Sequence, residues 1–161
     1  MRLTLYTDYA MRVLLYLAAR PDRLCSIAEI AQAFDISRNH LMKVVNDLAK
    51  AGYVTSLRGR SGGIRLGRAP DDINVGALVR HTEDGFELAD CGACLIAPAC
   101  GLSGALAEAL AAFMAVLDGY SLADLIARPG NLALILDGAV ASKGRGMPDR
   151  AKSDRSDKQN P

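Results

Sequence analysis

The chain has 161 residues, half of them hydrophobic but only 5% aromatic and none Trp, so it can fill one core, built from Ala, Leu, Ile and Val. No apolar run reaches the roughly 18–20 residues that cross a bilayer, and a start that mixes Arg2, Asp8 and Arg12 into its apolar residues is not a signal peptide. Membrane and export functions are therefore excluded, and a cytoplasmic chain with reduced cysteines is expected.

The net charge of +1 conceals a swing along the chain. Residues 1–68 carry 11 Lys and Arg against 5 Asp and Glu, residues 69–140 carry 2 against 10, and residues 141–161 carry 6 against 3. A basic front half suits a phosphate-bearing partner, whose condensed counterions are released on binding.

Residues 4–20 read as a helix, with Tyr6, Ala10, Met11, Val13, Leu14, Leu15, Leu17 and Ala18 forming a broad apolar stripe. Asp8 near its start has an ordinary role there, offsetting the helix dipole. Ser26 and Glu29 have capping-box spacing for a short helix over 27–34, and Cys25 just before it is a small packing residue. Asp35-Ile36 makes a tight turn. Ser37 caps a helix to about Ala51, with Leu41, Val44, Val45 and Leu48 inward, and Gly52 stops it.

Helix, tight turn, helix is a helix-turn-helix, whose second helix presents its first residues to base edges. Here these are Ser37, Arg38, Asn39, His40 and Lys43, all able to hydrogen-bond and all opposite the apolar face. Residues 53–58 then alternate as a strand, Gly59-Arg60-Ser61-Gly62-Gly63 is a turn, and 64–66 is the return strand. This hairpin is the wing of a winged helix. Arg58, Arg60 and Arg65 give it cations that suit a narrow minor groove.

Residues 69–72 read as a hinge, and Asn74 caps a short helix to about Thr82. His81 on that helix reads as a hydrogen-bonding residue rather than a ligand. An acidic loop follows, then Cys91-Gly92-Ala93-Cys94-Leu95-Ile96-Ala97-Pro98-Ala99-Cys100, a C-x2-C-x5-C pattern. Thiolates are soft ligands that suit iron–sulfur clusters, zinc or copper(I). Three sulfurs are one short of a closed four-thiolate site, so another group must supply the fourth ligand. Three other readings remain open: a Cys91/Cys94 redox pair in a thiol oxidoreductase, a structural zinc in a non-sensing winged-helix regulator, and inert buried thiols.

The stretch 102–117 is almost wholly apolar and too hydrophobic for a one-sided surface helix. It is either the central core helix or a face that packs on a second copy of itself, with dimerisation favoured. Ser121 caps a short helix over 122–127, and 132–136 is a last apolar segment. Residues 141–161 are polar and aperiodic, so disorder is expected, with some non-specific DNA affinity from their basic charge. The fold class is thus mainly α with a small β-hairpin. A winged helix-turn-helix over 1–68 precedes a segment over 69–140 holding the cysteine loop and the long dimerisation helix. No nucleophile–base set, phosphate loop or carboxylate pair marks an enzyme.

The stretches MRLTLYTDYAMRVLLYLA, SRNHLMKVVNDLAKAGYV, LRGRSGGIRLG, CLIAPAC and YSLADLI together resemble the IscR/NsrR/RirA family of iron–sulfur transcriptional regulators, and within it the nitric-oxide-sensing repressors. The resemblance covers about residues 1–136. It implies a homodimeric repressor of a palindromic double-stranded DNA operator, with one iron–sulfur cluster per subunit. The ligands it implies are Cys91, Cys94, Cys100 and, from the partner subunit, the residue at position 8, an aspartate. The cluster implied is 4Fe-4S. A 2Fe-2S cluster is the alternative, because the first cysteine gap is shorter than in many such sequences. Ser103 stands where one branch of the family carries a His ligand. Nitric oxide is the implied effector, releasing the operator, with iron or redox sensing as the alternative.

Overall fold

The computed structural model describes residues 2–59, 62–127 and 132–144. Helix α1 (Leu5–Ala18) begins where the Thr4 side chain accepts from the Thr7 amide. Its stripe of Ala10, Val13, Leu14, Tyr16 and Leu17 is at most 2% exposed, and α1 packs on several of the elements that follow. Each such Leu or Val, moved from water to the interior, contributes about 1.5–3 kcal/mol.

Helix α2 (Ile27–Phe34) is capped by Ser26, which accepts from the Glu29 amide at 3.1 Å. This is half of the expected box. The Glu29 carboxylate goes instead to Arg23 at 2.8 Å and to the Tyr16 hydroxyl at 3.2 Å. Asp35 closes the turn in the left-handed region (φ 57°), where Asp is tolerated. The Ile36 amide returns to the Ala31 carbonyl at 3.0 Å. Helix α3 (Arg38–Lys50) follows, and Gly52 ends it at φ 78°.

Strands β1 (Val54–Leu57) and β2 (Gly63–Leu66) pair antiparallel, Val54 opposite Leu66 and Leu57 opposite Gly63. Cys25 bridges to Ile64 through two backbone hydrogen bonds of 2.9 and 2.8 Å, so the wing is sewn to the start of the helix-turn-helix. The Cys25 side chain is fully buried, as its packing role required.

The expected hinge is a 3-10 turn, Pro70–Asp72, leading to helix α4 (Val75–Thr82), whose amides are capped by Asn74. Helix α5 (Leu102–Asp118) spans the apolar stretch. Helix α6 (Leu122–Ile126) carries a complete capping box between Ser121 and Asp124. Helix α7 (Leu132–Gly144) continues into the segment expected to be disordered, so 141–144 are helical; the rest of that expectation, 145–161, lies outside the described residues.

One apolar cluster joins α1, α2, α3, the hairpin, Ile73, Leu78, Leu122 and Leu136. Charge changes sign at residue 68, but packing does not stop there. Tyr16 and Tyr53 join the aliphatic residues in the core, while Tyr120 is exposed. Helix α7 packs on α2, with Leu136 buried and Asp137 paired with Arg20, whose guanidinium lies 4.0 Å from the Tyr16 ring. Helix α5 is not the central core helix. Met114 is its one buried residue among those described, and Val116 is 61% exposed, so its apolar surface has no cover from the described residues of this chain. No helix among the described residues is long and apolar enough to cross a membrane.

Candidate nucleic-acid interface and metal centre

Helix α3 separates its two faces cleanly. Leu41, Val44, Val45 and Leu48 are buried, while Ser37, Arg38, Asn39, His40 and Lys43 are all exposed. Ser37 holds the N-cap position but makes no side-chain cap bond, contrary to expectation, so its hydroxyl is not tied to the helix. A groove of about 230 Å³ between α1 and α3 extends this face and adds Leu5, Tyr6 and Tyr9 to it. These α1 residues have no mark in the sequence beyond belonging to a helix stripe.

Arg58 and Arg65 are exposed on the hairpin, and Arg60 and Ser61 lie outside the described residues. Gly62 and Gly63 have a backbone reason for being glycine. A Cβ on Gly62 would stand 2.4 Å from the Leu57 carbonyl oxygen, and one on Gly63 2.8 Å from that of Cys25. Arg68 turns away from the wing: it lies over the Tyr53 ring at 4.7 Å and donates to the Ala51 carbonyl at 2.6 Å.

The cysteine loop is a run of turns. The Cys94 amide donates to the Cys91 carbonyl, that of Ala97 to Cys94, and that of Cys100 to Ala97, at 3.1–3.4 Å. Pro98 lies in the 3-10 turn Ala97–Ala99. Cys91 and Cys100 are half-buried, Cys94 is exposed, and none is in a disulfide. Cys100 Sγ accepts from the Leu102 amide at 3.5 Å. Leu95, next in the chain to Cys94, is 95% exposed.

The chemistry of this donor set, three unpaired sulfurs on one short loop, fits a thiophilic metal or an iron–sulfur cluster. Among the described residues, however, no three His, Cys, Asp or Glu side chains stand together as a metal-holding group. Asp8 is half-buried in the first turn of α1 and pairs with Arg12 at 2.9 Å. Within one chain it does not join the cysteines. Only resemblance singles it out, since an acid in a first turn is commonplace.

Between the two regions lies the last turn of α4. Arg80 makes two 2.6 Å bonds to the Asp118 carboxylate of α5, which hold that carboxyl below its ordinary pKa. His81 hydrogen-bonds Asp47 of α3 at 3.0 Å, the hydrogen-bonding role expected of it. Asp47 also accepts from the Tyr6 hydroxyl at 3.0 Å; burial, then this bond, push that hydroxyl up to about 12. Thr82 shares a 2.8 Å hydrogen bond with Thr7 of α1. Glu83 accepts from the Thr4 amide at 2.8 Å and from the Thr4 and Thr7 hydroxyls. Burial raises its pKa, but the Thr7 and Thr4 bonds outweigh that and leave it below the ordinary value.

Known proteins are similar to this chain in sequence and in fold. The profile of a family described as "Rrf2: Iron-dependent Transcriptional regulator" matches residues 3–128. The chain is 51% identical over 142 residues to the HTH-type transcriptional regulator NsrR of Bacillus subtilis (strain 168), a match spanning 84% of this chain and 97% of that one. Among solved structures it resembles T. potens IscR, with a TM-score of 0.65 and 26% identity over 78% of this chain and 86% of that one. It also resembles CymR, the global cysteine regulator of B. subtilis, with a TM-score of 0.61 and 28% identity over 78% of this chain and 95% of that one.

Proposed function

The chain belongs to the Rrf2 family of transcriptional regulators, and on that footing we propose that it is a homodimeric repressor whose DNA binding is gated by an iron–sulfur cluster that senses nitric oxide. It is a DNA-binding regulator and not an enzyme. The reading rests above all on three unpaired cysteines within ten residues of one loop, one of them already accepting an amide hydrogen bond. The similarity to a regulator named NsrR supports it.

Cys91, Cys94 and Cys100 would hold the cluster, 4Fe-4S in this reading, with Asp8 of the partner subunit as fourth ligand. When bound, such a cluster supplies iron that takes nitric oxide as a ligand. A carboxylate matches soft iron less well than a thiolate does, so Asp8 would be the most weakly held of the donors. Arg12, 2.9 Å away in this structure, is the cation ready to receive it. Tied across the dimer, Asp8 would hold two copies of α1, and with them the two recognition helices, at one separation. Helix-turn-helix dimers read half-sites about one helical turn apart, so that separation governs operator affinity. Moving the protein from mostly bound to mostly free needs about 5.5 kcal/mol of differential stabilisation.

The exposed apolar surface of α5 supports the dimer. Val116 at 61% exposure and Leu102 at 52% cost solvation unless a second copy covers them. Arg38, Asn39, His40 and Lys43, with Ser37, would meet base edges in the major groove. Arg58, Arg60 and Ser61, with Gly62 and Gly63 shaping the turn, would meet the minor groove.

The test is an anaerobic absorption spectrum with iron and sulfide analysis, paired with operator binding before and after nitric oxide. Loss of binding by the loaded dimer, with the cluster-free protein unaffected, is expected. Equal responses of the two forms would exclude the reading, and zinc in place of iron and sulfide would favour a non-sensing regulator.

A further inference from the structure

Three successive residues at the end of α4 reach three different helices: Arg80 pairs with Asp118 of α5, His81 with Asp47 of α3, and Thr82 with Thr7 of α1. Neighbouring side chains on a helix point roughly 100° apart, since 3.6 residues make a turn. One turn set between three helices can therefore address each of them. Immediately after it Glu83 opens the loop that leads to the cysteines.

Only one of these contacts touches the helix that carries the reading face. The buried face of α3 (Leu41, Val44, Val45, Leu48) is wholly apolar. Apolar burial turns this face to the core but is non-directional, so it sets the rotation and tilt of α3 less sharply than a directional bond does. A hydrogen bond is directional, and weakens steeply as it bends. Asp47 Oδ2 takes both His81 and the Tyr6 hydroxyl at 3.0 Å, so a single oxygen joins α1, α3 and α4. The His81 ring is held in turn against Tyr53, centroids 5.8 Å apart, at the foot of the wing. A carboxylate accepts only, so the His81 Nε2–H is the donor.

We infer that Asp47 and His81 are positioning residues that carry the state of the cysteine loop, and of α5, to the recognition helix. Displacement of the loop acts on the last turn of α4, and His81 passes it to α3 through Asp47. Arg80 feeds the same turn from α5. This rests on the reading that the loop controls operator binding. The link is a coupling free energy between two sites, so it is measured as a ratio of affinities.

The experiment compares operator Kd of cluster-loaded and cluster-free dimers for wild type, Asp47→Asn, His81→Phe and the double variant, with thermal midpoints alongside. His81→Phe keeps a ring against Tyr53 and removes the nitrogen. A loaded-to-free affinity ratio well above one is expected for wild type, falling about fivefold in each single variant. The double variant should fall no further, as residues acting as one link are non-additive. If wild type shows a large ratio and both variants keep it, the inference fails while the gating reading stands, even if their midpoints drop. Two independent, additive losses would equally overturn it. A wild-type ratio of one would remove gating itself, and this link with it.

Discussion

Gly76 faces Asp118 so closely that a Cβ on it would stand 2.0 Å from Asp118 Oδ1 and 3.0 Å from the Asp118 amide nitrogen. The carboxylate cannot simply step aside, because Arg80 holds both of its oxygens. Gly76→Ala must then push α4 and α5 apart or break that ion pair. Overpacking of this kind costs about 1–3 kcal/mol, and denaturant unfolding should show a lower midpoint. Gly104→Ala, with nothing within 4 Å of its added Cβ, should leave the midpoint where it was or raise it.

Cys25 should behave unlike the other three cysteines. Burial first, then the nearby Glu29 carboxylate, push its thiol up to about 11. At pH 8 alkylation followed by mass spectrometry should label Cys91, Cys94 and Cys100 in the metal-free native protein, and Cys25 only after unfolding. The sign of the pH effect follows. A thiol with a raised folded-state pKa favours the fold below its ordinary value near 9, and that stability is lost as pH climbs towards about 11. Stability should decline across that window, and Cys25→Ala should flatten this part of the profile.

Glu83 gives the opposite dependence. Its folded-state pKa lies below the ordinary 4.5 despite burial, because Thr7 and Thr4 bond the charged form. Its contribution is present above that value and lost as pH falls below it. The acid limb of the stability profile should be shallower in Glu83→Gln, whose neutral amide has no charge to lose. An acid limb identical to wild type would show that the three bonds contribute nothing net.

The two regions proposed to meet DNA should fail differently. Arg38→Ala removes an exposed side chain from the first turn of α3, and a loss of about 1–3 kcal/mol, concentrated at particular operator positions, is expected in competition binding. Arg58→Ala should weaken binding more evenly across sequences and lower its salt dependence.

The exposed surface of α5 carries the last prediction. Val116→Glu places a charge on it, and sedimentation should turn a dimer into a monomer while the monomer's circular dichroism stays unchanged. A wild-type chain that sediments as a monomer would remove the dimer from the proposal.

Much of this was legible beforehand. The period of Ala10, Val13, Leu14 and Leu17, the caps at Ser26 and Asn74 and the stop at Gly52 are local signals, and local signals are written in neighbouring residues; the strand at β1 was legible too, although only Val54 of it is buried and the expected alternation is absent. The exposed side of α3 was legible too, because the polar and apolar sides of α3 separate at helical spacing. Glu29 defeated the expected box because Arg23 and Tyr16, brought to it by packing, compete for its carboxylate. The helical reach of α7 was missed because Ala139, Ala141, Ser142 and Lys143 form no stripe, while Asp137 and Leu136 anchor the helix to Arg20 and the core.

The sequence by itself determined the winged helix-turn-helix, the clustered thiols and the exposed polar side of α3, since each depends on spacings of four residues or fewer or on a short run of turns. Only the tertiary structure decided that Asp47 meets His81, that Arg80 meets Asp118, and that Glu83 meets Thr4 and Thr7. Those partners stand 34 to 79 residues apart. Charge complementarity alone does not choose among so many acids and bases; burial of one shared core brings particular pairs within 3 Å and leaves the others in water.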